Sequence, residues 1–367
     1  MFKRVQNQRL GIGSISLAVF LALIVLFVSG LSCASAPAQS SQGGAAPEWV
    51  NNLNRAFPAS DWVAVIASGS SQRLAEQQAM NALARAFRTD VSSLTQTSQR
   101  FSQIVNEAAG KRTISMEQAQ DFSQEVNTST NIQGLIGVQT DHFQARDGTF
   151  YVNARMNRRE CAPRYTRMIQ ENSAVISQLL TMATRQQISF EAYSALNFAA
   201  VIAEITDNFQ NILEVLDPTA VNRKPAYGGA NAIKARMREL ANSITIGILV
   251  NTADRNDEIL IRRALATFFT EKGFTINEQG SGLYVLNTNV RFEALPFSDR
   301  LQSSRYYFNA ALTDRNNRTL FTFTEDDRKN HNLPAEAKRL AVRAVESSVK
   351  EEKFATDLDT WLNSLID

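Results

Sequence analysis

The sequence predicts an α+β protein: two small α/β sandwich domains joined by a helical connector, behind an N-terminal signal segment and a flexible tether. Three observations carry this expectation. Strand-like runs alternate with helix-period segments near each end of the chain, and the middle, from Pro163 to Ser243, is helical in period for most of its length. Residues Ala34 to Ala46 are only Ala, Pro, Ser, Gln and Gly, a composition that cannot bury a core. The expected divisions are a signal segment at 1–32, a cysteine and flexible tether at 33–46, an α+β domain at 47–162, the connector at 163–243 and a C-terminal domain at 244–367.

The first segment opens with Lys3, Arg4 and Arg9, continues through the unbroken apolar run Leu17 to Val28, and ends at Gly30-Leu31-Ser32-Cys33. That order predicts a secretory signal of the lipoprotein type, with Cys33 acylated, a palmitate-bearing lipid attachment site and the new N-terminus. Gly30 stands where such boxes usually carry a large aliphatic residue. Two readings compete: an uncleaved anchor helix, for which Gly11 to Val28 sits near the lower end of the roughly 17–25 residues a span requires, and ordinary cleavage. All three export the rest of the chain. Ala34 and Ser35 do not resemble the aspartate-type inner-membrane retention signal of enteric bacteria, which points to the outer membrane.

The net charge of +2 comes from this segment. Lys3, Arg4 and Arg9 are three of 38 basic residues, so the rest of the chain has 35 basic against 36 acidic residues. No basic stripe with interleaved aromatics is present, which excludes an electrostatic nucleic-acid footprint. Beyond Cys33 the sole cysteine is Cys161, so no intramolecular disulfide is expected after acylation, and Cys161 reads as partly buried and inert.

Order is expected from Pro47-Glu48-Trp49-Val50. Trp62 to Ala67 is a buried-strand signal closed by Gly69. Ala75, Ala79, Ala82, Leu83 and Ala86 form one stripe of a helix that small residues allow close to a sheet. The Thr/Ser/Gln-rich stretch Thr89 to Val105 predicts an extended strand leading to a mobile excursion around Gly110, and Asp121 to Ser129 a helix. Gly134 to Phe143 and Thr149 to Met156 predict a hairpin about Arg146-Asp147-Gly148, since Asp-Gly supplies the positive φ of a tight turn. The Pro-Glu-Trp-Val opening, the strand ending at Gly69, the alanine-rich helix and Asp147-Gly148-Thr149-Phe150-Tyr151-Val152 with basic residues after it resemble the Lpp-twenty lipoprotein family over Pro47 to about Tyr165. The insertion around Ile104 to Met116 departs from a compact version of that domain. The resemblance implies a bacterial envelope lipoprotein with a small α+β domain, of a kind also found in flagellar T-ring-type proteins.

Tyr165, Met168, Ile169, Ile176, Leu179 and Leu180 mark one connector helix, and Phe190 to Leu213 a second, stopped at Asp217-Pro218. A third is expected at about Ala232 to Ser243. The α/β pattern then restarts: a strand from Ile244, a helix through Ile261, Ala264, Leu265 and Phe268, strands at 274–277, 283–292, 306–312 and 319–324, and a closing helix after Pro334. This β-α-β-β-β-β-α order is similar to the small domains of lipoprotein activators of penicillin-binding proteins, the curli-secretion lipoprotein and the N-terminal domain of the Tol translocation protein. The similarity implies protein–protein contact rather than chemistry.

Reactive constellations are sparse. His142 and His331 read as solvated surface without the ligand set of a metal site. No nucleophile elbow or P-loop is present. Asp254, Asp257 and Glu258 offer paired carboxylates, but acids at a helix start serve first as caps and dipole partners. Gly280-Ser281-Gly282 reads as a turn, and Glu325 to Lys329 as a solvated loop. The function expected is therefore a non-catalytic envelope scaffold or assembly factor, with no cofactor, no metal and no catalytic residue. Its expected partners are the membrane through Cys33 and other envelope proteins; no nucleic acid is expected, and the oligomeric state is open. The alternatives are a lipoprotein that binds a cell-wall fragment, sugar or lipid in a groove near Tyr284, Tyr306 and Tyr307, and, less favoured, a hydrolase centred on Asp254 and Glu258.

Overall fold

In the computed structural model, the described residues are 41–42, 45–89, 91–108, 135–220, 225–277, 279–296 and 302–366. Cys33, tether residues 34–40, the excursion around Gly110 and the helix expected at Asp121 to Ser129 lie outside them. The chain is α+β, and the described residues form two sheets. The first has the order β1-β3-β4-β2, formed by β1 (Ser41–Gln42), β2 (Trp62–Gly69), β3 (Gln139–Gln144) and β4 (Phe150–Asn157). β1 lies within the stretch expected to be a tether. It pairs in parallel with Phe143 and Gln144, which ties that part of the stretch to the sheet edge.

β3 and β4 form the expected hairpin, and Thr149 donates its N–H to the Asp147 carboxylate at 2.9 Å across the turn. Alternation sets the faces of this sheet. Val63, Val65 and Ala67 of β2 oppose Met156, Ala154 and Val152 of β4, all in one core with α3 (Gln72–Ala86). Ala75, Ala79 and Leu83 of the expected stripe are buried, Ala82 is half-buried and Ala86 is exposed, while Met80 and Ala84 join the buried face. The short helices α1 (Glu48–Asn51) and α2 (Leu53–Ala56) precede β2. Arg155, which pairs with Asp141, lies over the rings of Phe57 at 4.4 Å and Trp62 at 5.5 Å.

The stretch expected as a strand from Thr89 to Val105 is instead a helix, α4 (Val91–Ala108). Phe101, Ile104 and Val105 are buried at helical spacing, and Phe101 stacks on Phe198 at 5.7 Å. Burial of one apolar stripe outweighs the poor helix propensity of Thr and Ser, each worth only tenths of a kcal/mol, about 0.7 at most.

Two long helices come next, α5 (Arg158–Arg185) and α6 (Phe190–Leu216), capped by Asn157 and Ser189. In α6, 18 of 27 residues are buried, so it is a central pillar rather than a surface link. α5, α4 and α7 (Ala230–Ser243) pack around it. The connector shares one continuous core with the first sheet.

The second sheet has the order β6-β5-β7-β8-β9. β5 (Thr245–Asn251) runs parallel to β6 (Thr275–Asn277) and β7 (Tyr284–Pro296), and β8 (Gln302–Asp314) and β9 (Thr319–His331) complete an antiparallel meander. α8 (Arg255–Glu271) makes the crossover from β5 to β6. α9 (Pro334–Lys350) and a further helix, α10 (Lys353–Asn363), cover the same sheet, and α10 was not among the expected elements. Strands β7 to β9 are longer than expected. Glu325 to Lys329 is not a solvated loop but the second half of β9, paired with Arg305 to Phe308 and their neighbours on β8. Glu325 points inward, where it accepts hydrogen bonds from the Tyr306 hydroxyl at 3.0 Å and from Ser348. Those partners let a carboxylate sit against an apolar core.

Candidate functional site

Alternation along the second sheet separates a covered face from an open one. Ile246, Ile248 and Val250 of β5, Leu286 and Val290 of β7, Phe308 and Leu312 of β8 and Phe321 and Phe323 of β9 are buried in one core with α8, α9 and α10. Their neighbours face outward. The register sets these in rows: Leu249, Asn287, Ala311 and Thr322 in one, and Asn251, Asn289, Asn309 and Thr324 in the next. Apart from the half-buried Ala311, all are exposed. A hollow of about 530 Å³ lies over them, closed at the β5 end by Leu249 and by Arg262 of α8. Beside it, Arg291 and Arg305 lie 4.5 and 4.9 Å from the Tyr307 ring centroid. The Tyr307 hydroxyl donates to Glu293 at 3.1 Å, and Arg305 pairs with Asp326, so this charged group is internally balanced.

β5 is also an edge. β6 reaches only Thr245 to Gly247, so among the described residues Ile248 to Asn251 have no strand on their outer side. Leu249 is 44% exposed there, and on α8 Ile259, one turn before Arg262, is 48% exposed. The Gly280-Ser281-Gly282 turn, which links β6 to β7, crosses β5 on the open face, while β6 itself covers the Thr245 to Gly247 half of the edge. A Cβ on Gly247 would lie 2.4 Å from the Gly280 carbonyl carbon, so the turn rests directly on the strand.

Other expected groups are dispersed. Tyr284 packs on Phe190 at 4.3 Å inside the core, Tyr306 is buried against Glu325, and Tyr307 is on the opposite face. Neighbouring strand positions point to opposite faces, so the three do not form the expected groove. Asp254 caps α8 by accepting from the Asn256 N–H at 2.9 Å. Lys338 of α9 lies 3.0 Å from Asp254 and 2.8 Å from Asp257 in a hollow of about 350 Å³. The Lys338 hydrogen bond, with that of Asn256, holds the Asp254 carboxyl below its ordinary value; Asp257, then Asp254, raise the Lys338 ammonium despite its partial burial. One ammonium thus serves two carboxylates, and Glu258 turns away to Arg262. Asp254 and Glu258 are not brought to a common cleft.

His142 is not solvated surface. Its side chain is 11% exposed, and Nε2 lies 2.7 Å from Glu76, because β3 carries it under α3. His331 ends β9, and its Nδ1 accepts the Leu333 N–H at 3.1 Å. Among the described residues no group of three or more His, Cys, Asp or Glu is placed to hold a metal ion. Cys161 is buried, and desolvation, reinforced by Glu160, raises its thiol above the ordinary value. Among the described residues no helix is long and apolar enough to cross a membrane.

The open face had a signal in the sequence, the period-two polar positions Asn287, Asn289, Thr322 and Thr324. The free edge had none, since it depends on where β6 stops.

No family model matches the chain, so the Lpp-twenty resemblance rests on the residues alone, and no curated protein matches it. Three solved structures show limited similarity. A candidate lipoprotein from Caulobacter crescentus CB15 aligns at 13% identity over 31% of this chain and 87% of that one, with a TM-score of 0.22. A minor lipoprotein from Acinetobacter baumannii aligns at 12% identity over 33% and 94%, with a TM-score of 0.23. A secreted protein of the human pathogen Helicobacter pylori aligns at 13% identity over 83% and 98%, with a TM-score of 0.31. At these scores neither fold nor function passes from those proteins to this chain.

Proposed function

We propose that this chain is a non-catalytic bacterial envelope lipoprotein, held at the outer membrane by acyl chains on Cys33, that acts as a scaffold through protein–protein contacts. The observation that carries the contact role is the outer edge of β5, which no described strand covers beyond Gly247 and which is flanked by the exposed Leu249 and Ile259. Unpaired strand edges beside apolar side chains are templates for an added strand, and proteins without a partner usually blunt them. β9, the opposite edge, is blunted by Asp326, Asp327, Arg328 and Lys329. The anchor rests on the basic start, the apolar run and Cys33. Each buried CH₂ of an acyl chain contributes about 0.8 kcal/mol, so two or three chains hold the protein firmly.

The test has two arms in intact cells. A photo-crosslinking residue in place of Ile259 is expected to capture one discrete protein neighbour, and the same residue in place of the β9-edge Thr319 is not. Absence of any adduct at Ile259 overturns the contact role. Cys33→Ser is expected to abolish acyl labelling and lipoprotein-type processing; unchanged labelling and mobility overturn the anchor and favour an uncleaved helix.

A further inference from the structure

We infer that the hollow on the open face of the second sheet binds an uncharged, β-1,4-linked polysaccharide chain lying across the strands. Four features of the surface lead there. First, its polar side chains are unengaged: among the described residues Asn251, Asn287, Asn289, Asn309, Thr322 and Thr324 make no side-chain hydrogen bond. Each amide offers both donors and an acceptor, and each hydroxyl both roles, which is what sugar hydroxyl and acetamido groups require.

Second, the groups are spaced by the sheet itself. Asn251, Asn289, Asn309 and Thr324 stand on four consecutive strands in one register row, so they recur at about 4.8 Å. A pyranose ring in a β-1,4-linked chain advances by close to one strand spacing, so each ring can meet one row member. An extended polypeptide advances about 3.3 Å per residue and falls out of step across the strands. Laid along them, it meets only these two rows.

Third, the neighbouring row supplies a floor. Ala311 is a small residue within it and Leu249, on which the Gly280 turn packs, an apolar one at its end, so the apolar face of a ring can rest over Ala311 between the amides. Such a combination of a few polar groups on an apolar base is how ligand sites fix orientation. Fourth, among the described residues that line the hollow there is no carboxylate, and the one cation among them, Arg262, is paired with Glu258. That neutrality disfavours polyanions and polycations, whereas the Arg291–Tyr307–Arg305 group next to it closes on its own acids. The inference is independent of the β5-edge contact, and the two are separable because the sugar test needs no partner protein.

The full-length chain, purified in detergent, is titrated calorimetrically with two series of oligosaccharides of increasing length, one of N-acetylglucosamine and one of glucose, both β-1,4-linked. Saturable binding is expected, tightening from the disaccharide to the tetrasaccharide and then levelling, because four strands carry the row. The series that binds more tightly identifies an acetamido-bearing or a plain glycan. The double variant Asn289→Ala, Asn309→Ala removes two exposed amides without a structural bond. It is expected to keep the wild-type melting temperature and to lose at least tenfold in affinity. No saturable binding of either series, full affinity for a monosaccharide, or unchanged affinity in the double variant overturns the inference. So does a protein adduct formed by a photo-crosslinker at Asn309 with sugar binding absent.

Discussion

Asp207 shows how a single side chain acts far from its own element. The N-cap of α7 is Gly229, which has no side chain to accept a bond, so the Asp207 carboxylate of α6 accepts the Ala230 N–H at 2.9 Å instead. Burial raises the Asp207 carboxyl above its ordinary 3.8, while the bond from Ala230 opposes that shift. A carboxyl raised in the folded state binds more protons there than when unfolded. Its contribution to stability therefore falls as pH rises from 3.8 through the raised value. Asp207→Asn keeps an oxygen acceptor and removes the charge. It is expected to raise the melting temperature at neutral pH, with the gain vanishing below the ordinary carboxylate range. Asp207→Ala is expected to cost about 1 kcal/mol, as loss of a cap does. Thermal unfolding of both variants at acid and neutral pH checks this. No local pattern announces such a cap, since donor and acceptor stand on different helices. Asp254, by contrast, precedes its own helix, and its capping role was readable from position alone.

At the scale of elements, α4 and β9 mark where local composition misleads. The Thr/Ser/Gln content of α4 favours an extended chain, but Thr97, Ser98, Phe101, Ile104 and Val105 are buried along one side of a helix. The spacing was present in the sequence and the propensity argued against it. Phe101→Ala is expected to destabilise the protein by about 3–5 kcal/mol, as for a buried aromatic truncated to alanine, with a fall in helical circular dichroism as α4 loses its contact with Phe198. An unchanged unfolding midpoint would show that α4 does not depend on that contact. β9 errs the other way. Its charged half reads as loop, yet β8 holds it in register to His331, with Glu325 compensated by Tyr306 and Ser348. The hairpin at Asp147-Gly148 was legible because its turn chemistry is local, and the helices Gln72–Ala86 and Phe190–Leu216 were legible from their apolar period.

At the scale of the whole molecule, the described residues form two cores that meet at the start of α6. Phe190 and Tyr193 leave the core shared by the first sheet and the helices and enter the second. There Phe190 lies 4.3 Å from Tyr284 and 5.4 Å from both Phe274 and Trp361, ring centroid to centroid. Ile366, near the other end of the chain, packs into the first core, and Met237 and Leu240 of α7 touch both. Phe190→Ala is expected to cost about 3–5 kcal/mol and to split a single calorimetric transition into two, the second sheet separating from the rest. One undivided transition at lower temperature would show that the cores remain coupled without it.

Periodicity, composition and local chemistry establish the α+β class, the order of most helices and strands, the near-neutral charge after the first segment, the cap at Asp254 and the turn at Asp147-Gly148. These come from periodicity and from bonds between residues a few positions apart. Only long-range packing makes α4 a helix, joins the connector to the core of the first sheet, sends the three tyrosines to different places and, among the described residues, leaves β5 a free edge beside an open polar face. Each of those depends on which surfaces meet, and burial against a distant partner contributes more free energy than the local preference it overrides.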